Sequence, residues 1–354
     1  MARVILTFQK KYMHMVVLNR IWSYINLIPA LLLSPVLICN LPDEKREAIK
    51  NRDFLREETV IIPFFRKSRH FSTLYLLLPV LFLFSGFSGA QNVSLKVLTY
   101  NIRYANPGDL PNTWPERKDK VFAAISEASP DIFGLQEALK SQVDDTENAF
   151  PGFTRIGAGR DDGKEAGEYS PIFFNTEKYS LLKSGVFWLS QTPTVAGSRG
   201  WDAACNRIVT WVHLKDIRSG EGFFVFCTHF DHMGEIARHN SALMVLQAVD
   251  SLAGETPAVL IGDFNATPDS EPYQIITDKS NPKHLIEART VCENNKGPEY
   301  TYTGFKIGAI PGARIDYIFV KSKMKVVSYT VNSENNGEYY PSDHLPVNAT
   351  LLLK

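Results

Sequence analysis

Six short segments carry the groups in this chain that could do chemistry: residues 98–103 (LTYNIR), 134–137 (GLQE), 228–230 (THF), 262–265 (GDFN), 314–317 (RIDY) and 342–346 (SDHLP). Each follows or opens a short apolar run that reads as a buried strand, and each sets carboxylate, amide or imidazole groups at or beside its end. Such groups are costly to bury unless they pair with one another or with a cation, so six placements of this kind point to one shared polar site. The donors are oxygen and imidazole without cysteine, which suits a hard cation such as Mg2+ that keeps most of its waters and takes one or two carboxylates. Hydrolysis of a phosphate ester asks for this set: charge neutralised on the phosphoryl oxygens, an activated water and help for the leaving oxygen.

Glu137 is the best single metal ligand. Its other reading is an acid in the first turn of a helix beginning Glu137-Ala-Leu-Lys, where the helix dipole favours it. The Asn101 amide would position that metal or a phosphate oxygen, although an Asn at a strand end commonly serves as a turn residue. Asp263 and Asn265 follow the apolar run 258–261 two positions apart, so in an extended segment they face the same side; an Asx turn is the alternative. Residues 265–267 also form a glycosylation sequon, a pattern short enough to arise by chance.

These groups need strands to hold them. The pattern predicts a strand over 93–100 ending at Asn101, a helix over 117–128 and a strand over 131–135 ending at Gln136 and Glu137. Further strands are expected over 171–174, 185–189, 208–214, 222–228, 258–261, 313–320 and 347–352. A helix over 236–251 places Leu243, Leu246 and Val249 at helical spacing. Residues 157–167 are glycine-rich and charged and read as a loop, without the flanking strand and helix of a dinucleotide fingerprint. Hairpin-like pairs alternate with helical crossovers, which predicts an α/β protein of two packed mixed β-sheets flanked by helices, a four-layer α/β/β/α sandwich. No linker divides residues 91–354, so they form one expected domain.

The ordered set LTYNIR, LQE, THF, GDFN, RIDYIF and SDHLPV resembles the endonuclease/exonuclease/phosphatase superfamily across essentially all of residues 95–354. That resemblance implies the same two-sheet sandwich and a metal-dependent hydrolase of phosphodiester or phosphomonoester bonds, with water attacking phosphorus. Mg2+ is the implied cofactor and Mn2+ an alternative, with Asn101, Glu137 and Asp343 at the metal. By the same resemblance Asp263 is the base or orienter for the attacking water, and Asn265 donates to the phosphate. Asp316 fixes the tautomer and orientation of His344, and His229 serves the phosphate or leaving oxygen. Arg207 stands 22 positions before His229, a spacing similar to that of the phosphate-contacting arginine in the deoxyribonuclease branch. Asp231 and His232 extend the motif and raise the question of a second metal. Trp114, Arg160, Glu168, Tyr169, Trp188, Trp201 and Phe305 are candidate recognition residues in or near loops. A catalytically silent binding module on this fold, or a membrane-anchored member, are the other readings.

Composition narrows the substrate. Of 354 residues, 44% are apolar and 21% charged, ordinary for a globular protein, and the formal net charge is zero. Residues 1–90 hold 12 Lys and Arg against 6 Asp and Glu, which leaves 26 basic and 32 acidic residues in 91–354. A net charge of −6 without a Lys/Arg stripe is not the footprint of a protein that grips duplex nucleic acid. The expected partner is a phosphoester substrate: single-stranded nucleic acid, a nucleotide, a sugar phosphate or a lipid headgroup, bound by a monomer. The four cysteines match neither a disulfide framework nor a zinc site, and Cys227 reads as a buried inert thiol.

Residues 66–70 (RKSRH), the apolar run 74–84 and the small-residue segment 85–90 have the three parts of a secretory signal, with cleavage expected after Ala90. Export to the periplasm, cell surface or medium follows from this; a membrane anchor is the alternative, though the run is short for a span of about 20 residues. A signal this far inside a chain suggests that translation starts downstream of Met1. An anchor over 27–41, interrupted by Pro29 and Pro35, is the competing reading.

Overall fold

The computed structural model describes residues 93–308, 312–335 and 337–353. The expectations for the N-terminal extension and signal, residues 1–90, lie outside these. In chain order the elements are β1 (Ser94–Asn101), α1 (Trp114–Ala128), β2 (Ile132–Gln136), α2 (Lys140–Ala149), β3 (Phe153–Ile156), β4 (Ile172–Asn175), β5 (Tyr179–Trp188), β6 (Ile208–Asp216) and β7 (Gly222–His229). They continue with α3 (Glu235–Ala253), β8 (Ala258–Asp263), α4 (Glu271–Thr277), β9 (Ile286–Glu287), α5 (Ala288–Val291), β10 (Asn295–Lys296), β11 (Asp316–Val320), β12 (Met324–Val331) and β13 (Val347–Leu353).

Two mixed sheets form, as predicted. One has the order β10-β12-β13-β1-β2-β4-β3, the other β5-β6-β7-β8-β11-β9. Alternation along each central strand sends one set of side chains between the sheets and the other beneath the helices. Val97, Ile132, Val225, Ile261 and Ile318 share the inter-sheet core. Leu98, Phe133 and Phe173 instead pack with Val121, Ile125 and Val143 from α1 and α2. Phe226, Leu260 and Phe319 pack with Val245, Leu246 and Val249 from α3. The result is the four-layer α/β/β/α sandwich. Among the described residues no helix is long and apolar enough to cross a membrane.

Register is what matters for the site. Parallel pairing of β7 with β8 sets His229 opposite Asp263, and antiparallel pairing of β8 with β11 sets Asp263 opposite Asp316. In the other sheet, parallel β1 and β2 set Asn101 opposite Gln136, one residue before Glu137.

Several boundaries differ from expectation. The strand expected over 313–320 begins only at Asp316, and the helix expected to open at Glu137 begins at Lys140, so Glu137 lies between strand and helix. β12 escaped the pattern because a register shift between Val326 and Ser328 breaks its alternation. The first half of β5 escaped because, as a sheet edge, it exposes residues 180–184 and needs no apolar signal.

Gly134 sets how closely the sheets approach. A Cβ there would lie 2.7 Å from both Cys227 Sγ and Ile261 Cδ1. Gly134→Ala should therefore lower unfolding free energy in urea by about 1–3 kcal/mol. Because Cys227 Sγ is one of the two obstructing atoms, adding Cys227→Ala should cost less than it does alone. Strictly additive losses would show that the two positions do not share this contact.

Candidate active site

The ends of six strands from both sheets meet at one edge of the sandwich. Asn101 closes β1, Glu137 follows β2, His229 closes β7, Asp263 closes β8, Asp316 opens β11, and the 342–344 turn leads into β13. Asn101 Nδ2 donates to Glu137 Oε1 at 3.1 Å and to Asp263 Oδ2 at 3.0 Å, so one amide spaces two carboxylates. His344 Nδ1 lies 2.8 Å from Asp316 Oδ2, while its Nε2 faces Asp263 Oδ2 at 3.7 Å. Ser342 Oγ donates to the Asn101 carbonyl at 2.8 Å, which ties the histidine turn to β1. Glu137, His229, Asp263, Asp343 and His344 floor a cleft of about 710 Å³ whose walls include Arg103, Arg160, Glu168, Arg207 and Tyr302.

The backbone is strained where the groups project. Arg103, Glu137 and Asn265 have φ of 54°, 61° and 45°, a region that residues other than glycine enter at a cost of order 1–3 kcal/mol each. Site side chains hold two of these turns: the Arg103 N–H donates to Asn101 Oδ1 at 3.0 Å, and the Asn265 N–H to Asp263 Oδ1 at 2.9 Å. The Asx turn at 263–265 is therefore real and part of the site. Asp263 and Asn265 do not share a face through strand alternation; the chain turns after Asp263 and brings both to the cleft.

Burial by itself would lower the His344 pKa, yet Asp316, Asp263 and Asp343 outweigh it and hold the ring protonated well above its ordinary range. Burial and the Asp316 charge push Asp263 up, against the pull of His344. His229 is the opposite case. Burial, then Arg207 and Arg160, push it well below 6.5, so its ring is neutral. Asn265 Nδ2 donates to the Phe230 carbonyl at 3.0 Å and meets His229 Nε2 at 3.0 Å, so Nε2 accepts and we assign the ring proton to Nδ1. That N–H is buried without a partner, 4.0 Å from Glu168 Oε2. Arg160 spends both terminal nitrogens on Glu168 at 2.6 and 2.9 Å, and Arg207 spends Nε on Asp231 and Nη2 on His232. Arg160 Nε and Arg207 Nη1 are left buried without acceptors.

Glu137 and Asp343 fit a hard cation. Burial, and after the opposing His344 the charge of Glu137, push the Asp343 carboxyl up. The nearest guanidinium, Arg103, stands 3.9 and 4.0 Å from the two acids, short of hydrogen bonding. Ligand atoms of Asp263, Asp316 and His344 also lie within 4.8 Å of one another. Asp316 Oδ2 is paired with His344 Nδ1 and Asp263 Oδ2 accepts from Asn101, while Asp316 Oδ1 is buried without a partner. Ligand atoms of Cys205, Asp231 and His232, where a second metal was considered, also lie within 4.8 Å of one another, but the Asp231 carboxylate is already filled. Asp231 already accepts the backbone N–H groups of Ala204, Cys205, Met233 and Gly234 as well as Arg207 Nε. It anchors Arg207.

Of the recognition candidates, Arg160 and Glu168 line the cleft. Trp114 and Tyr169 do not; they are buried beneath α1 and α2, with the Trp114 indole donating to Asp145. Trp188 is buried and donates to the Arg160 carbonyl at 2.7 Å, a support role. Trp201 and Phe305 are not among the cleft-lining residues. Sequence reasoning missed Tyr302, whose ring meets that of His344 edge-on at 5.0 Å, because it follows no periodic pattern. It also left Arg103 without a role although LTYNIR contains it.

The profile of the Endonuclease/Exonuclease/phosphatase family matches residues 98–344. The chain belongs to this family. Over 74% of its length it is similar to the whole of an endonuclease/exonuclease/phosphatase from Bacteroides vulgatus, at 41% identity and a TM-score of 0.71. Over 73% it is similar to 99% of a mannosyl-6-phosphatase from Bacteroides thetaiotaomicron, at 36% identity and a TM-score of 0.69. An uncharacterised protein of Acanthamoeba polyphaga mimivirus aligns at 22% identity over 260 residues, covering 62% of this chain and 38% of that protein. The chain thus spans well under half the length of that curated relative. Members of the Endonuclease/Exonuclease/phosphatase family are phosphoester hydrolases that depend on a divalent metal.

The neutral state of His229 has a thermodynamic signature. As pH falls through about 6.5 the unfolded chain takes up a proton on this residue and the folded chain does not, so its contribution to stability falls with pH. Between pH 7.5 and 5.0 the stability difference between the wild type and His229→Gln should shrink by about 2 kcal/mol in metal-free denaturant titrations. A difference independent of pH would contradict a neutral His229.

Proposed function

We propose that this protein is a Mg2+-dependent phosphatase of small phosphorylated substrates, of the sugar-phosphate class, exported after cleavage behind Ala90. The observation that carries the reading is the division of one cleft. Carboxylates of Glu137, Asp343 and Asp263 gather at its floor, while three buried N–H groups without acceptors, on Arg160, Arg207 and His229, belong to its wall. Phosphoryl oxygens are the acceptors such a wall lacks. Similarity to the mannosyl-6-phosphatase at 36% identity and the acidic balance of 91–354 support a small ligand over duplex nucleic acid.

Glu137 and Asp343, with Asn101 beside them, would hold Mg2+ or Mn2+, which supplies positive charge against the phosphoryl oxygens. Arg207 and the Nδ1–H of His229 donate to those oxygens, and Asn265 holds His229 in the tautomer that can do so. Asp263, kept proton-attracting by burial, takes the proton of the attacking water as the new O–P bond forms. The His344 imidazolium, steadied by Asp316, gives a proton to the leaving oxygen as the old P–O bond breaks. The 3.7 Å separation of His344 Nε2 and Asp263 Oδ2 lets the proton return between turnovers.

Activity should be highest on hexose 6-phosphates, low on single-stranded DNA and lower on duplex DNA, and lost in EDTA. His344→Ala and His229→Ala should each reduce kcat by at least about 10², and each should lower the thermal midpoint at neutral pH, His344→Ala the more because it leaves Asp263 and Asp316 buried without their imidazolium. Asp316→Asn should behave as a weaker His344→Ala, and the pair should be strongly non-additive. Full activity in EDTA would remove the metal from the reading. Duplex DNA as the best substrate, with affinity falling about 10³-fold or more between about 50 and 200 mM salt, would overturn the substrate class alone. N-terminal sequencing of the natural protein should begin at Gln91; a product retaining Met1 would end the export proposal.

A further inference from the structure

Arg103 is held by its backbone, and its head is tied to one acid. Its N–H is taken by Asn101 Oδ1, and its carbonyl accepts from Arg117 Nη2 at 2.6 Å and Gln142 Nε2 at 2.9 Å. With φ at 54° this is a fixed pivot. The guanidinium, 25% exposed, makes a bidentate contact with Asp109 at 2.8 and 3.1 Å. Its Nη1 stands 3.9 Å from Glu137 Oε2, and its Nε, already bonded to Asp109, stands 4.0 Å from Asp343 Oδ2, near enough for charge attraction and too far for a hydrogen bond. The other cation nearby, Arg117, cannot take this position. It is buried, and its donors go to the carbonyls of Asn112, Ile102, Arg103 and Pro341.

We infer that Arg103 is a resident counter-cation that competes with the divalent metal for Glu137 and Asp343, and that Asp109 sets metal affinity by holding the arginine back. This rests on the reading of Glu137 and Asp343 as the cation pair. Three carboxylates around one guanidinium leave a net charge of −2, which a divalent cation balances. Held on Asp109, the arginine offsets the repulsion within the pair from 3.9 and 4.0 Å and leaves room for a cation. Without Asp109 the head would move onto the pair and occupy it.

The test is calorimetric titration of Mn2+ into the EDTA-stripped full chain. Arg103→Gln should bind Mn2+ about tenfold more tightly than the wild type, and Asp109→Asn about tenfold more weakly, because the untethered arginine then sits on the pair. A purely structural role for Arg103 would not raise metal affinity. The thermal midpoint supplies a second readout: Arg103→Gln should lower it in EDTA and leave it near the wild-type value at saturating Mn2+, as linkage requires. Unchanged or weaker Mn2+ binding by Arg103→Gln, or an equal loss of midpoint with and without metal, would overturn the competition. If Arg103→Gln does not fold, Asp109→Asn decides, since affinity equal to or above wild type sinks the idea. Glu137→Gln separates the two readings: a wild type that binds no Mn2+, or a Glu137→Gln variant that binds as well as wild type, would place the fault in the cation pair.

Discussion

The Asp263 carboxylate is the group on which the site is assembled, because it is where the two sheets exchange hydrogen bonds at their shared edge. Oδ2 receives the amide of Asn101 from the seven-stranded sheet and faces both His344 and His229; Oδ1 closes the turn that aims Asn265. A buried carboxylate is tolerated only when its lone pairs are met and its charge is offset. Here the offset is an imidazolium between two aspartates. The arrangement requires that β7, β8 and β11 end on one rung, which their pairing registers accomplish. A slip of one residue in β8 would turn Asp263 to the opposite face and the whole constellation would fail.

Electrostatic division follows from that placement. His344 and His229 stand on either side of Asp263, yet their neighbours differ in kind: carboxylates surround the first, and guanidinium groups flank the second. One ring is therefore a cation able to give a proton and the other a neutral donor through Nδ1. Two histidines in different protonation states at one pH are the outcome of environment alone. Removing a single carboxylate near His344 would disturb both, since the His344 charge also helps to keep His229 neutral.

Much of this was legible in the sequence, and the reason is geometric. A polar residue at the end of an apolar strand is conspicuous, so Asn101, Glu137, His229, Asp263, Asp316 and His344 could be named before any fold was known. The order of the strands was not legible, because periodicity reports a strand's faces and says nothing of its neighbours. Arg207 was named by spacing, but its anchor Asp231 only raised the question of a second metal, since the structure alone reveals how many N–H groups that carboxylate already accepts. Aromatic residues were the weakest inference. Trp114, Tyr169 and Trp188 have the composition of a recognition surface and are instead interior packing, a distinction set by long-range contacts that no local window contains.

The cleft's far wall explains how a shared strand-end machine could be directed to a particular ligand. Residues 157–168 and 190–206 support each other: the Trp188 indole holds the Arg160 carbonyl, Asp161 accepts from Asn206 Nδ2 at 2.9 Å, and Gly197 packs where a Cβ would lie 2.4 Å from the Asp161 carbonyl oxygen. Asp202 then accepts the N–H groups of Ile236 and Ala237, using the second loop to cap α3, which lacks a side-chain cap at its own Gly234. The wall is thus braced against a core helix at one end and carries Arg160 and Glu168 at the other. A braced wall loses little entropy when a ligand docks, and it limits what can enter the cleft. Changes in these two loops can alter the ligand while the strand ends keep the reaction, which is how one fold separates its chemistry from its specificity.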